Sequence, residues 1–308
     1  MLVTIIPFFL AAQVAVDDPS RQSEWAMYGG ECTYEVFIIS VIDNYLYASI
    51  KSDFKCRLKA EDTLSCRFQN KRIRHTYPLK NETGFVPTIR FVGGEPFEIH
   101  FNLSGVQYLV VHKTIPKWQL DMIKVIVSQL NDNFETARRY PQIIEIPARG
   151  NSTVGECEVN VTLGRTDKKH DDDDDDEEDG SGMKESEDFE LGFVWMHDNF
   201  AQTNGKFRIK KIQQLKGCPQ RTIYFFFRKR KDDGRSDGAL YIDMIYSTNY
   251  ITITKNHFMS RMEMTGVMNT AIETQGMQLK QMIDLKLRRI DLTRDSLPEI
   301  RNPTSISL

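Results

Sequence analysis

Strict alternation of apolar and polar residues constrains this chain more than any other feature. A period of two builds a ribbon with one dry face and one wet face, and a helix cannot use it. From Leu46 the apolar positions are Leu46, Ala48, Ile50, Phe54, Cys56 and Leu58, with Ser49, Lys51, Asp53, Lys55, Arg57 and Lys59 among the residues between them. After a polar turn at 60–63 the alternation resumes at Leu64, Cys66 and Phe68, which makes a hairpin. Upstream, residues 33–42 are β-branched and aromatic, and Asp43 and Asn44 turn them into the long strand. The pattern recurs at Phe97, Ile99, Phe101 and Leu103, and again at Cys157, Val159, Val161 and Leu163. Asn102 and Asn160 fall on the polar side of these two strands, so both point to solvent.

One segment departs from this period. In residues 116–131, Lys117, Asp121, Lys124 and Ser128 form a single polar stripe at helical spacing. The rest of the surface is apolar, and Pro116 suits the first helical position. A helix this apolar is buried on most sides. Two lysines against one aspartate make a poor cationic face, which argues against a helix lying on a membrane. Residues 167–188 are too charged to fold and are expected as a solvated acidic loop. Strands resume at 207–209, 222–227, 241–246, 250–254 and 282–287. Strands on both sides of one helix predict a mainly β fold: one large antiparallel β-barrel with a central buried α-helix and an acidic disordered loop.

Residues 1–15 hold the longest apolar stretch, short of the roughly 20 residues a bilayer span needs, and small residues follow it at Ala12 and Ala15. This is read as a signal peptide, leaving 16–308 as a secreted, extracellular domain without a transmembrane segment; a buried N-terminal strand is the alternative reading. Four glycosylation sequons agree, at Asn81, Asn102, Asn151 and Asn160. The five cysteines contain no Cys-x-x-Cys pair. Cys157 and Cys218 flank the acidic loop, and a bridge between them would contribute about 4 kcal/mol by closing it. Cys56 and Cys66 face inward across the hairpin, where a bridge and two buried thiols are both open readings. Cys32 is left over.

The acidic run 171–179 hides a charge asymmetry: without it, 40 Lys and Arg stand against 34 Asp and Glu. As a calcium loop the run lacks fixed ligand positions and a turn glycine, so a solvated spacer is the plainer reading. The body is mildly basic, with clusters at Lys206, Arg208, Lys210 and Lys211 and at Arg228, Lys229, Arg230 and Lys231. Charge ending an apolar edge strand accounts for the second cluster; a docking patch for an acidic receptor module or polyanion is the functional alternative. A pI near 6.1 argues against nucleic acid. No nucleophile-elbow, zinc-protease, phosphate-loop or dinucleotide motif is present, and the six histidines form no metal-spaced pair, so neither catalysis nor a cofactor is expected.

Several stretches together resemble the vitellogenin-type large lipid-transfer proteins: GGECTYEV after Trp25, GVQYLVVHKTIPKWQLDMIKVIVSQLN, STVGECEVNVTL, GCPQRTIYFFF and LPEIRNPTSISL, in that order. The resemblance implies the family's N-terminal barrel around a central helix at 116–131, with Cys157 and Cys218 as partners. It departs in two ways. The insect family's loop is commonly serine-rich and phosphorylated, whereas Asp and Glu supply the charge here. Complete members continue into a helical horseshoe and lipid-lining sheets, so this chain looks like the short vitellogenin-like proteins of insects. The implied function is a receptor- or lipoprotein-binding module without the bulk lipid cavity; the alternative is a small carrier holding one or a few lipids within the barrel.

Overall fold

The computed structural model describes residues 2–4, 7, 9–14, 24, 29–43, 45–75, 89–90, 94–102, 105–130, 144–152, 155–166, 188–193, 201–202, 205–215, 241–269 and 276–307. The first half contributes β1 (Leu2–Thr4), β2 (Leu10–Val14), β3 (Gly30–Ile42), β4 (Tyr45–Ala60), β5 (Thr63–His75), β6 (Ile89–Arg90), β7 (Phe97–Asn102) and β8 (Gly105–His112). Helix α1 (Lys117–Ser128) follows, then β9 (Ile144–Ser152), β10 (Gly155–Thr166), β11 (Phe189–Phe193), β12 (Ala201–Gln202) and β13 (Lys206–Gln214). The chain closes with β14 (Tyr241–Thr254), β15 (His257–Asn269), β16 (Met277–Leu292) and β17 (Pro303–Ser307).

Two sheets result. A small one runs β1-β2-β11-β12, and a 13-stranded sheet runs β17-β8-β7-β5-β4-β3-β16-β15-β14-β13-β10-β9, with β6 beside β5. The mainly β class holds, while closure into a barrel is not seen: among the described residues the end strands of the large sheet, β17 and β9, share no ladder. Each end strand carries a proline, Pro303 and Pro147. Proline has no N–H to give a neighbour, so neither position can donate to a further strand.

Antiparallel register stacks the inward residues into rows across the sheet. One row joins Leu287, Tyr34, Phe54 and Phe68. Phe54 stacks on Phe68 and Phe97 at 5.0 and 6.0 Å between ring centroids, and Tyr34 meets Phe258 edge-on at 6.3 Å. All five rings are essentially dry, and burying each contributes roughly 1.5–3 kcal/mol. The next row holds three cysteines: Cys32 pairs with Cys56, which pairs with Cys66. Cys56 and Cys66 form a disulfide with their Cα atoms 4.2 Å apart, and Cys32 is a buried free thiol.

Helix α1 covers part of this inner surface. Pro116 is its N-cap, extended at φ −61°, so the first helical residue is Lys117 rather than the proline. Met122, Ile123, Val125, Ile126 and Val127 are buried, while Lys117 is exposed and Asp121 and Lys124 half-buried; the fourth stripe residue, Ser128, is instead buried, its hydroxyl donating to the Val125 carbonyl (2.7 Å). Lys124 Nζ donates to the Ser307 carbonyl (3.3 Å), tying the helix to β17.

Residues 293–302 connect β16 to β17, six strand positions away. Six steps at about 4.8 Å make ~29 Å along a flat sheet, and ten residues reach at most about 33–36 Å. The connection therefore has little slack and carries no regular element. Arg57 Nη1 donates to the Thr293 carbonyl at one end (3.4 Å), and Lys113 N to the Asn302 carbonyl at the other (3.0 Å). Near that strand end Glu31, Thr33, Arg57 and Ser65 are buried although they belong to the outward set of positions. Glu31 is held there by Lys55 and Arg67, each at 2.9 Å.

The acidic stretch lies outside the described residues except for Asp188, and so does the expected strand at 222–227. Leu10–Val14, within the segment read as a leader, pairs with Phe189–Phe193, and Leu10, Ala11, Ala12 and Val14 are buried there.

Candidate functional site

The residues expected to dock a partner were chosen by charge, and the strand sorts them by parity. In β13 Arg208, Lys210, Ile212 and Gln214 are exposed, whereas Ile209 and Gln213 are buried. Lys211 is half-buried and shares the parity of Ile209 and Gln213. It therefore stands on the opposite face from Lys206, Arg208 and Lys210, because successive residues of a strand point to opposite faces. Burial lowers the Lys211 amine to about 7. Arg228, Lys229, Arg230 and Lys231 lie outside the described residues, as do Cys218 and Asn81.

The outer face of β13 and β14 carries more than charge. Lys210 pairs with Tyr250, Ile212 with Thr248, and Gln214 with Tyr246. Lys210 Nζ sits 5.5 Å from the Tyr250 ring centre, a cation–π contact. Tyr246 is 48% exposed, Tyr250 41% and Ile212 37%; Tyr108 is the other large apolar side chain that open among the described residues. Asn160 stands opposite Ile212 on the neighbouring strand, and it is exposed, as is Asn102. Two tyrosines, an aliphatic side chain, an arginine and a lysine on one flat face have the make-up of an interface centre, in which aromatic residues and arginine are enriched.

The inner face of the same strands is polar in places. Ser260 Oγ lies 2.9 Å from both Gln129 Oε1 and Asn249 Oδ1, all three buried. One hydroxyl hydrogen cannot serve two acceptors, and Gln129 Nε2 has no partner. Turning the Gln129 amide over lets Nε2 donate to Ser260, which then donates to Asn249. The cluster pins the C-terminal end of α1 to β15. Alternation points to none of it, because Ser and Asn read as surface residues.

A third grouping has the order of a nucleophilic triad. Thr63 Oγ1 is 3.0 Å from His100 Nδ1, and His100 Nε2 is 3.2 Å from Glu98 Oε2. The hydroxyl also bonds Asp62 Oδ1 at 2.8 Å and is buried, and Glu98 is bound by Lys59. With His100 stacked on Tyr108 at 4.3 Å, this is a cross-strand polar ladder that leaves the oxygen no room to attack a substrate. Among the described residues no three His, Cys, Asp or Glu side chains gather as a metal-holding group, and no helix is long and apolar enough to cross a membrane.

The β-rich architecture agrees with what known proteins show. The vitellogenin N-terminal domain family matches residues 41–293, and the chain belongs to that family. A solved structure described as "Lipid-protein interactions in lipovitellin" superposes with a TM-score of 0.51 over 88% of this chain at 9% identity. This likeness is one of fold, and the chain spans about a quarter (26%) of that protein's length. No curated protein matches the chain.

Proposed function

We propose that the chain is a secreted binding module of the vitellogenin lipid-transporter family, docking an acidic partner of lipoprotein-receptor type on the outer face of β13 and β14. The observation that carries the reading is the co-location of Tyr246, Tyr250 and Ile212 with Arg208 and Lys210. Exposed apolar side chains are ordinary when scattered; gathered beside cations on one sheet face they form a recognition patch. Arg228, Lys229, Arg230 and Lys231 extend the patch in the proposal on charge alone. Residues 1–15 act as the leader, and 16–308 form the mature domain with its loop at 167–188. Glycans at Asn81, Asn102, Asn151 and Asn160 and a Cys157–Cys218 bridge complete the mature form.

The test is binding of the full chain to immobilised acidic ligand-binding repeats of a lipoprotein receptor. Replacing Arg208 and Lys210 by Glu is expected to weaken binding at least tenfold, and raising salt to weaken the parent protein in parallel. Unchanged binding by that double variant refutes the face.

The alternative is a carrier of one or a few lipids. Lys211, Asn249, Gln213 and Ser247, set among apolar residues on the inner face, favour it, since they offer polar contacts to a headgroup. Native mass spectrometry with lipid extraction separates the two: protein free of lipid after purification from lipid-rich medium removes the carrier reading.

A further inference from the structure

The row Cys32, Cys56, Cys66 spans three adjacent strands, β3, β4 and β5. Cys56 is the middle member, and its two neighbours reach it from opposite sides. The 4.2 Å between Cα atoms of Cys56 and Cys66 marks a close, non-hydrogen-bonded pair. In an antiparallel sheet the backbone N–H and C=O of one residue point to the same side. Those of Cys56 therefore point to β3, and Cys32 and Cys56 form the hydrogen-bonded kind of pair, with Cα atoms about 5.5 Å apart. That distance lies within the range disulfides span, about 4.4–6.8 Å. All three side chains face the same dry interior.

We propose that Cys56 is a disulfide-exchange site with two alternative partners, so that the chain forms either Cys56–Cys66 or Cys32–Cys56. In the exchange the Cys32 thiolate sulfur attacks Cys56 Sγ. The Cys32–Cys56 bond forms as the Cys56–Cys66 bond breaks, its electron pair leaves on Cys66 Sγ, and Cys66 takes up the proton that Cys32 gave up. No oxidant or reductant is consumed. The folded state holds whichever bond has formed, because burial and the nearby carboxylates of Glu31 and Asp291 oppose formation of the thiolate. Exchange belongs to states in which β3 lifts from β4. Cys32 is thus an internal partner, placed for a bond within its own chain.

Full-length Cys66→Ser protein, refolded with glutathione disulfide as oxidant, is digested and mapped without reduction. Lys51, Lys55, Arg57 and Lys59 let trypsin put the three cysteines on separate peptides. The expected product is a Cys32–Cys56 crosslink; Cys32 and Cys56 both recovered as free or glutathione-capped thiols in folded protein overturns the proposal. If this variant does not fold, the wild-type protein decides. It is held in moderate urea above the ordinary thiol pKa of about 8.5, quenched in acid and alkylated. Label is expected to appear on Cys66 in the amount lost from Cys32. Label confined to Cys32, with Cys66 fully protected at all times, overturns it equally.

Discussion

Burial turns Lys71 and Lys211 into weak bases, lowered from 10.5 to about 8 and about 7. Lys71 reaches the interior through an irregularity in the pairing of β4 and β5. Asn70 takes a positive φ of 54° there, and the Lys71 amine lies 5.2 Å from the Phe68 ring centre. The unfolded chain keeps both amines protonated up to about 10.5, so it binds more protons than the fold between the depressed values and that limit. Stability therefore rises with pH from about 7, and what the lysines contribute is lost as pH falls through their folded values. Cys32 acts in the opposite sense. Its thiol is raised from 9.0 to about 12, so stability falls once the unfolded thiol ionises above 9. The two lysines outweigh the one thiol until the unfolded amines, and the unfolded Tyr34 phenol, begin to lose their own protons, so urea unfolding across this range is expected to show a maximum near pH 10, with a weaker rise from pH 7 upward in Lys211→Met. A rise of equal size in that variant would show that Lys211 is not the titrating group. The position of Lys211 was legible in advance: Phe207, Ile209 and Gln213 share its parity. The cluster was read by charge, and charge carries no information about facing.

Among the elements, those with clean alternation were readable and the rest were not, for a physical reason in each case. Strands β3, β4, β7 and β10 lie within about three residues of the expected boundaries, since one dry face leaves a period of two, whereas β5 runs on past the expected 64–68 to His75. Strand β14 reads as two strands because Ser247, Thr248 and Asn249 are turn formers. In the structure it is continuous, with its register shifted between Met244 and Tyr246, and Ser247 and Asn249 face inward to polar neighbours. Strand β15 escapes notice because methionine is by propensity a helix former, although Phe258, Ser260, Met262 and Met264 alternate inward. Helix α1 is legible from its stripe, and its stability rests on packing, with no acidic residue in its first turn and no side-chain cap. Ile126→Ala is therefore expected to cost about 2–5 kcal/mol, the range for a fully buried aliphatic side chain. Lys117→Ala, at the exposed end of the same helix, is expected to stay within about 0.5 kcal/mol; thermal unfolding of the two variants checks both values.

At the scale of the whole molecule, the two end strands of the large sheet, among the described residues, have to manage their outer edges. Strand β17 covers β8 through the ladder from Pro303 to Ser307, and presents the proline-bearing edge in its place. Truncation after Asn302 is expected to bare Tyr108–His112, the β8 segment beneath it, and to shift the protein toward dimers and larger species on size-exclusion chromatography. An unchanged elution profile would show that β8 needs no cover. The strand order was not legible: alternation says which face of each strand is dry and nothing about which strands end the sheet. That depends on pairings between residues far apart in sequence, such as Leu279 with Ile42 and Leu292 with Gly30.

Those last pairings have a consequence in time. Strands β3 and β16 are neighbours at the middle of the sheet, yet one lies near the start of the chain and the other near its end. As the chain leaves the ribosome at about 5–20 residues per second, β3 waits some 12–50 s for its partner. During that interval the early meander β3–β4–β5–β7–β8 shows two raw borders, one awaiting β16 and the other β17. Assembly of the central seam is a late, long-range event, of the kind that makes β proteins slow to fold. The nascent chain is most exposed to wrong partners while β3 and β8 still wait for theirs.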